Sequence, residues 1–429
     1  MIGAVKNAFK IPDLRKRILF TFGILAVYRL GAYVPVPGVS VEAIGQLAEQ
    51  AARGGLLGFL DLFSGGALFE HFAVFALGIM PYITAAIIME LLTAVIPTVQ
   101  QWAKEGEVGR RKITQWTRYM TLGLSLVQSV GLTFYMQGVL RQARIPIIFS
   151  WQTRALIVIT LVAGTVLIMW LGELITQKGI GNGMSLIIFV SIISRFPHAL
   201  IQTYKVQTSS AMAMGMILLL ISIVLLVIAA IVLVESGQRR VSVQYAKRIV
   251  GRKMYGGQST YIPLKVNSAG VIPIIFASSV LLFPMTLAQF FPGKIFTSAA
   301  NFLTPTSPVY LSLFALLIIF FTYFYTAIIF NPIDIADNMR KYGGFIPGVR
   351  PGRPTAAHLD HILSRITLPG SVFLAAVAVL PTLFIAGLNI PFFRDFGGIA
   401  LLIIVGVALE TMVQIESQLL MRHYEGFLK

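Results

Sequence analysis

Apolar residues in this chain are gathered into long runs rather than spaced along one face of short elements. Ten such runs occupy residues 18–35, 72–96, 117–138, 154–175, 183–203, 212–234, 268–290, 308–330, 368–389 and 398–420. A helix crossing a hydrocarbon core of roughly 30 Å needs about 20 residues, so the pattern predicts an all-α membrane protein with ten transmembrane helices. An even number of crossings places both termini on the same side.

Composition agrees with the pattern. Of 429 residues, 56% are apolar and 12% charged, which describes a chain whose solvent is lipid. The 34 Lys and Arg against 17 Asp and Glu would suit a nucleic-acid binder, so their placement decides what they mean. Twenty-five lie on the side of the N-terminus, eight lie on the other face, and Arg29 falls inside the first run. The positive-inside rule then makes both termini cytoplasmic, although Arg141, Arg144 and Arg154 in the third outer loop run against the bias. The chain has no cysteine, which removes disulfides, thiolate metal sites and cysteine nucleophiles together. Residues 3–12 read as a helix on the inner surface, with no cleavable signal after the first apolar run.

Three connections are long: 36–71 on the outer face, and 235–267 and 331–367 on the inner face, the latter two strongly basic. Ten spans divide naturally as five and five, residues 1–210 and 211–429, an arrangement found in transport proteins with inverted repeats. No internal sequence similarity supports the symmetry directly.

Within the outer connection, "DLFSGGALFEHF", Asp61 to Phe72, is short for a span and apolar for a loop. Its composition fits an amphipathic surface helix. A segment enclosed by protein also fits, with Leu62, Phe63, Leu68 and Phe69 for apolar contact and Gly65 and Gly66 for a loose backbone, because unpaired backbone cannot face lipid. Pro81, about ten residues into its run, predicts a bent helix. In "KGIGNGMS", Lys178 to Ser185, the glycines follow a span rather than a strand, so a tight turn capped by Asn182 or Ser185 is expected instead of a phosphate loop. "FIPGVRPGRPT", Phe345 to Thr355, holds two Pro-Gly pairs suited to type II turns, which present Arg350 and Arg353 at fixed places for a carboxylate or phosphate. His358 and His361 flank Asp360 without a third clustered ligand, so no metal site is expected. Glu90, Glu410 and Glu416 sit toward inner ends of spans, whereas an ion-coupled carrier keeps its ionisable groups near the midplane.

The segments "FALGIMPYITAAIIMELL", "EGEVGRRKITQWTRY", "ITQKGIGNGMSLIIF", "GQRRVSVQYAKR", "QSTYIPLKVNSAGVIPIIFASS" and "NPIDIADNMRKYGGFIPGVRPGRPT" together resemble the bacterial SecY family, the channel subunits of the Sec protein translocase. The resemblance runs from about Ile11 to the last residues. It implies a clam-shaped channel of two pseudo-symmetric five-helix halves that passes unfolded secretory polypeptides across the cytoplasmic (inner) membrane and releases transmembrane segments sideways into lipid. No covalent chemistry and no cofactor is implied. The resemblance makes Asp61, Leu62, Phe63, Ser64, Gly65, Gly66, Ala67, Leu68, Phe69 and Glu70 a plug. It maps a pore ring onto Ile79, Ile83, Met184, Ile188, Ile275 and Ala408, and Ala408 and Met184 depart from the usual isoleucine, so Ile404 is a second choice on the last span. A lateral gate maps onto Thr84, Gln128 and Asn267. Docking of a SecA ATPase motor or of ribosomal RNA maps onto Arg350 and Arg353, assisted by Arg239, Arg240, Lys247 and Arg248. Further implied partners are the small membrane subunits SecE and SecG, signal sequences and lipid. A small-solute carrier and an intramembrane enzyme are the competing classes, the first predicting a charged midplane site and the second a single indispensable nucleophile or acid.

Overall fold

The computed structural model describes residues 9–39, 61, 63–68, 72–142, 150–207, 213–245, 248–250, 253–255, 259–290, 307–388 and 397–425. Its helices are α1 (Pro12–Gly31), α2 (Met80–Val95), α3 (Pro97–Lys104), α4 (Glu107–Gln142), α5 (Trp151–Lys178), α6 (Gly183–Ile193), α7 (Phe196–Gln207) and α8 (Ala213–Ser236). After α8 come four strands, β1 (Gln238–Tyr245), β2 (Arg248–Val250), β3 (Lys253–Tyr255) and β4 (Ser259–Lys265). The chain continues with α9 (Ile272–Phe290), α10 (Pro308–Ile329), α11 (Pro332–Lys341), β5 (Gly344–Phe345), α12 (Arg353–Leu388) and α13 (Gly398–Glu425).

Each of the ten apolar runs falls at least partly on a helix. Among the described residues, six helical stretches are long and apolar enough to cross a membrane, or seven when α2 and α3 are taken as one bent span. The chain is therefore a multi-pass membrane protein. Residues 1–8, which hold most of the expected surface helix, lie outside the described residues.

Two expectations about the second run are corrected. Residues 74–79 form turns and the helix starts only at Met80, so Pro81 occupies its first turn, where a missing N–H costs nothing, and does not kink it. The bend falls at the other end: Ile96 is extended ahead of Pro97, and α2 and α3 meet at 99°. Proline forces its predecessor out of the helical region, so the chain must turn there. The expected cap is present at α6, where Asn182 Oδ1 accepts from the amides of Met184 at 3.1 Å and Ser185 at 3.4 Å. Gly183 is required by the same turn, because a Cβ there would collide with the Gly172 carbonyl of α5.

One apolar core joins residues of α1, α2, α5, α6, α8, α9, α10, α12 and α13. Packing orders the helices: α5 touches α1, α4 and α6, α2 touches α4, and in the second half α10 lies between α9 and α12, with α13 against α8 and α12. Between these groups, α9 packs on α2 and α4, and α13 on α6. On α4, Thr117, Thr121, Ser125, Ser129 and Thr133 form a buried stripe at four-residue spacing. Their hydroxyls donate to carbonyls of the preceding turn, Thr121 Oγ1 to Thr117 O at 2.7 Å for example, so small polar side chains let helices approach without stranded donors.

The two inner connections contain strands, which the pattern did not predict. β1 pairs antiparallel with β4 along Gln238↔Lys265 to Gln244↔Ser259, and β5 adds to its other edge through Gln244↔Phe345 and Tyr245↔Gly344. Thus β1 and β4 of the first connection and β5 of the second form one sheet. Val241, Val243, Leu264, Met339, Ile346, Leu359, Ile362 and Leu363 give it a hydrophobic core of its own.

Candidate functional site

The segment from Asp61 to Leu68 is enclosed by protein, and an amphipathic surface helix is excluded. Phe63, Ser64, Ala67 and Leu68 are all buried, as is Asp61. A single helical turn ends on Gly65 at φ +69°, with the Gly66 amide reaching back to Asp61 O at 3.0 Å. This is a helix stop whose left-handed residue is glycine because other side chains are strained there. Ser64 Oγ donates to Asp61 O at 3.1 Å and accepts from the Leu68 amide at 3.3 Å, and the Ala73 amide closes the loop on Ala67 O at 2.8 Å. Leu62, Phe69 and Glu70 lie outside the described residues.

Three walls hold it. A Cβ on Gly65 would stand 3.0 Å from Ser191 Cα and O, so the turn rests on the backbone of α6. Opposite, a Cβ on Gly78 would stand 3.2 Å from Phe63 O, so the segment also rests on the turn before α2. From α1, Arg29 Nη1 donates to Gly65 O at 2.9 Å, its guanidinium lying 4.9 Å from the Tyr33 ring centroid. Tyr28 ties α1 to α6: its hydroxyl lies 2.6 Å from Ser191 Oγ, whose proton goes to Ile187 O, so Tyr28 is the donor. The Tyr28 ring stacks on Phe75 at 5.6 Å. Asp61 is paired with Arg195, Oδ2 to Nη1 at 2.8 Å.

Of the residues mapped to a ring, Ile79, Ile83, Met184, Ile188 and Ile275 belong to the single large core, whereas Ala408 on α13 is exposed and Ile404, one turn earlier, packs against that core. The three gate residues do not bond one another among the described residues. Thr84 Oγ1 donates to Met80 O at 3.0 Å within its own helix, and Asn267 Nδ2 donates to Glu235 Oε1 at 2.6 Å and Gly270 O at 2.9 Å. Gln128 is half-buried on α4. On the inner body, Gly348 and Gly352 have φ of +83° and +98°, the turn geometry expected after Pro347 and Pro351. Arg350, Arg353, Arg239 and Arg240 are exposed, with Arg240 4.8 Å over the Tyr261 ring. Arg248 is on β2, and Lys247 lies outside the described residues.

Tyr28, Ser191 and the partners Arg29 and Arg195 were not singled out as functional from sequence. Arg29 carried a readable signal, a lone cation within an apolar run. Tyr28 and Ser191 are ordinary residues that only the fold brings together.

A bundle of long apolar helices that encloses a short, glycine-turned, ion-paired segment defines a multi-span membrane protein with a piece of chain buried among its helices. The family model named SecY matches residues 73–412, and the chain belongs to the SecY family. It is 51% identical over 447 residues, covering the whole of both chains, to the protein translocase subunit SecY of Streptomyces griseus. Its fold is similar to a structure described as a protein conducting channel, with a TM-score of 0.63, 17% identity and 96% of each chain covered. A second structure, at TM-score 0.62, 18% identity and 96% coverage of each, is of a SecY protein whose plug domain is described as stabilising the closed state and maintaining a membrane seal.

Proposed function

We propose that this chain is the protein-conducting channel of a bacterial translocase, moving unfolded secretory polypeptides across the cytoplasmic membrane and releasing apolar segments sideways. The observation that carries this reading is the burial of the Asp61–Leu68 turn between α1, α6 and the turn before α2.

The channel is built from ten spans, both termini cytoplasmic, in two halves that meet where α9 packs on α2 and α4 and where α13 packs on α6. The first of these seams is the lateral gate. Thr84, Gln128 and Asn267 line it, and Asn267 Oδ1, buried without a partner among the described residues, is an acceptor that an incoming donor can take. Ile79, Ile83, Met184, Ile188 and Ile275 form the constriction, and Ile404 supplies the α13 member in place of the exposed Ala408. A narrow aliphatic ring resists wetting, so it stops ions while yielding to a threaded chain. The inner body docks the motor or ribosome through Arg350 and Arg353, aided by Arg239, Arg240, Lys247 and Arg248, since paired guanidinium donors suit carboxylate and phosphate alike. SecE and SecG are the expected membrane subunits.

The test is reconstitution of the chain with its small subunits and a SecA motor in vesicles, followed by protease protection of a secretory precursor. ATP-dependent protection supports the channel. Its absence alongside saturable solute uptake would favour a carrier. Replacing residues 61–70 by a short linker is expected to raise resting ion efflux, and unchanged efflux removes the plug assignment.

A further inference from the structure

Arg195 occupies the two-residue break between α6 and α7, and its side chain is 14% exposed where it meets the 3% exposed carboxylate of Asp61. Arg29 approaches the same turn from α1 and takes the carbonyl of its hinge residue, Gly65. We infer that Arg195 and Arg29 are positioning residues that clamp the closing segment at two separate points, one ionic and one through the backbone, and so set how readily the pore unseals. This rests on the plug reading above.

The chemistry of the ionic point explains how a clamp can be firm and still release. Two charges out of water gain little net stability from each other, but removing either leaves the other's charge buried without this counter-ion, at a large cost, even though Ser64 Oγ still stands 3.5 Å from Asp61 Oδ1. On the arginine's side, Nε is buried without a partner among the described residues. In a dry, closed channel the segment therefore stays with Arg195. When a polypeptide enters with water, both charges become hydrated, the tie weakens, and the segment leaves. The Arg29 point differs in kind, because its acceptor is a neutral carbonyl whose loss leaves no stranded anion.

The chain lacks cysteine, so Ser64→Cys, at a fully buried site, gives a single-thiol reporter, and because Ser64 itself bonds Asp61 every variant is compared with the Ser64→Cys parent. Its rate of reaction with a membrane-impermeant maleimide, together with resting ion efflux, is measured on the full chain in its subunit complex in vesicles. Asp61→Asn and Arg195→Gln are each expected to raise the labelling rate by at least about tenfold. The double variant leaves neither charge uncompensated and is expected to label more slowly than either single, back toward the parental rate, the mark of one shared interaction. Arg29→Gln should combine multiplicatively with Arg195→Gln, as independent points do. Singles that label at the parental rate, or a double that multiplies, overturn the ionic clamp, and full coupling of Arg29 to Arg195 overturns the two-point arrangement. A linker in place of 61–70 separates the readings: unchanged efflux there defeats the plug itself, whereas raised efflux with unresponsive Asp61 and Arg195 variants defeats only the clamp.

Discussion

Gly65→Ala tests the seat of the closing turn more directly than any deletion. Gly65 has φ +69°, a region that costs an L-residue about 1–2 kcal/mol. Its new Cβ would also stand 3.0 Å from Ser191 Cα and O and 3.2 Å from Arg29 Nη1. The arginine can retreat, but Ser191 is helical backbone tied to Ile187 and Tyr28 and cannot. Roughly 2 kcal/mol against the seated state is the minimum expected, which raises the displaced population about 30-fold. The assay is resting halide efflux from vesicles holding the full complex. Gly106→Ala is the matched control, since Gly106 has φ +70° but open space around its missing Cβ. It should lose similar local stability without leaking. Gly65→Ala vesicles as tight as the parent would refute the claim that this turn, in this seat, is the seal.

Four further outcomes are expected. Asn182→Ala removes the acceptor for two amides at the start of α6 and should cost about 1 kcal/mol, read as a lower thermal midpoint that Asn182→Asp largely restores. Leu359→Ala, at a fully buried site in the inner body, should cost about 2–5 kcal/mol, exposing residues 235–267 and 331–367 to protease while resting efflux stays low. Arg350→Ala should reduce motor-driven precursor protection at least about tenfold with the seal intact, and Arg350→Lys should recover only part of it because an ammonium lacks the bidentate fork. Ile404→Ala should raise resting efflux more than Ala408→Gly, checked in the same vesicles, if Ile404 is the α13 member of the constriction.

Long apolar runs were legible because lipid burial needs no partner to be read. The same signal misled at 72–79, which is apolar yet not helical: Gly78 has φ +56° and the stretch is committed to walling in Phe63 and Ser64. Apolarity reports burial, and helix there was an inference. Ile96-Pro97 is the local cue to the bend, whereas Pro81, deeper within the run, falls in the first turn of the helix and bends nothing. In "QRRVSVQY" the alternation of Val241 and Val243 was a strand signal, masked by the surrounding cations. Its partner β5 is a pair of residues from another connection, which no local pattern announces. The pairing of Asp61 with Arg195 is hidden for the same reason, each residue being unremarkable until the fold sets them together.

The β1–β4 hairpin is rooted with no slack. The Val266 amide bonds Gly237 O at 2.9 Å, immediately past the end of α8 and shortly before α9 begins, while β5 and the shared core fasten α11 and α12 to the same sheet. A partner pressing on this sheet would therefore meet a stiff lever rather than a tether. On the channel reading proposed above, a push on this sheet is passed to α8, α9 and α12 together, on the side of the seam opposite α2 and α4, so it can part the two sides without any signal passing through the pore.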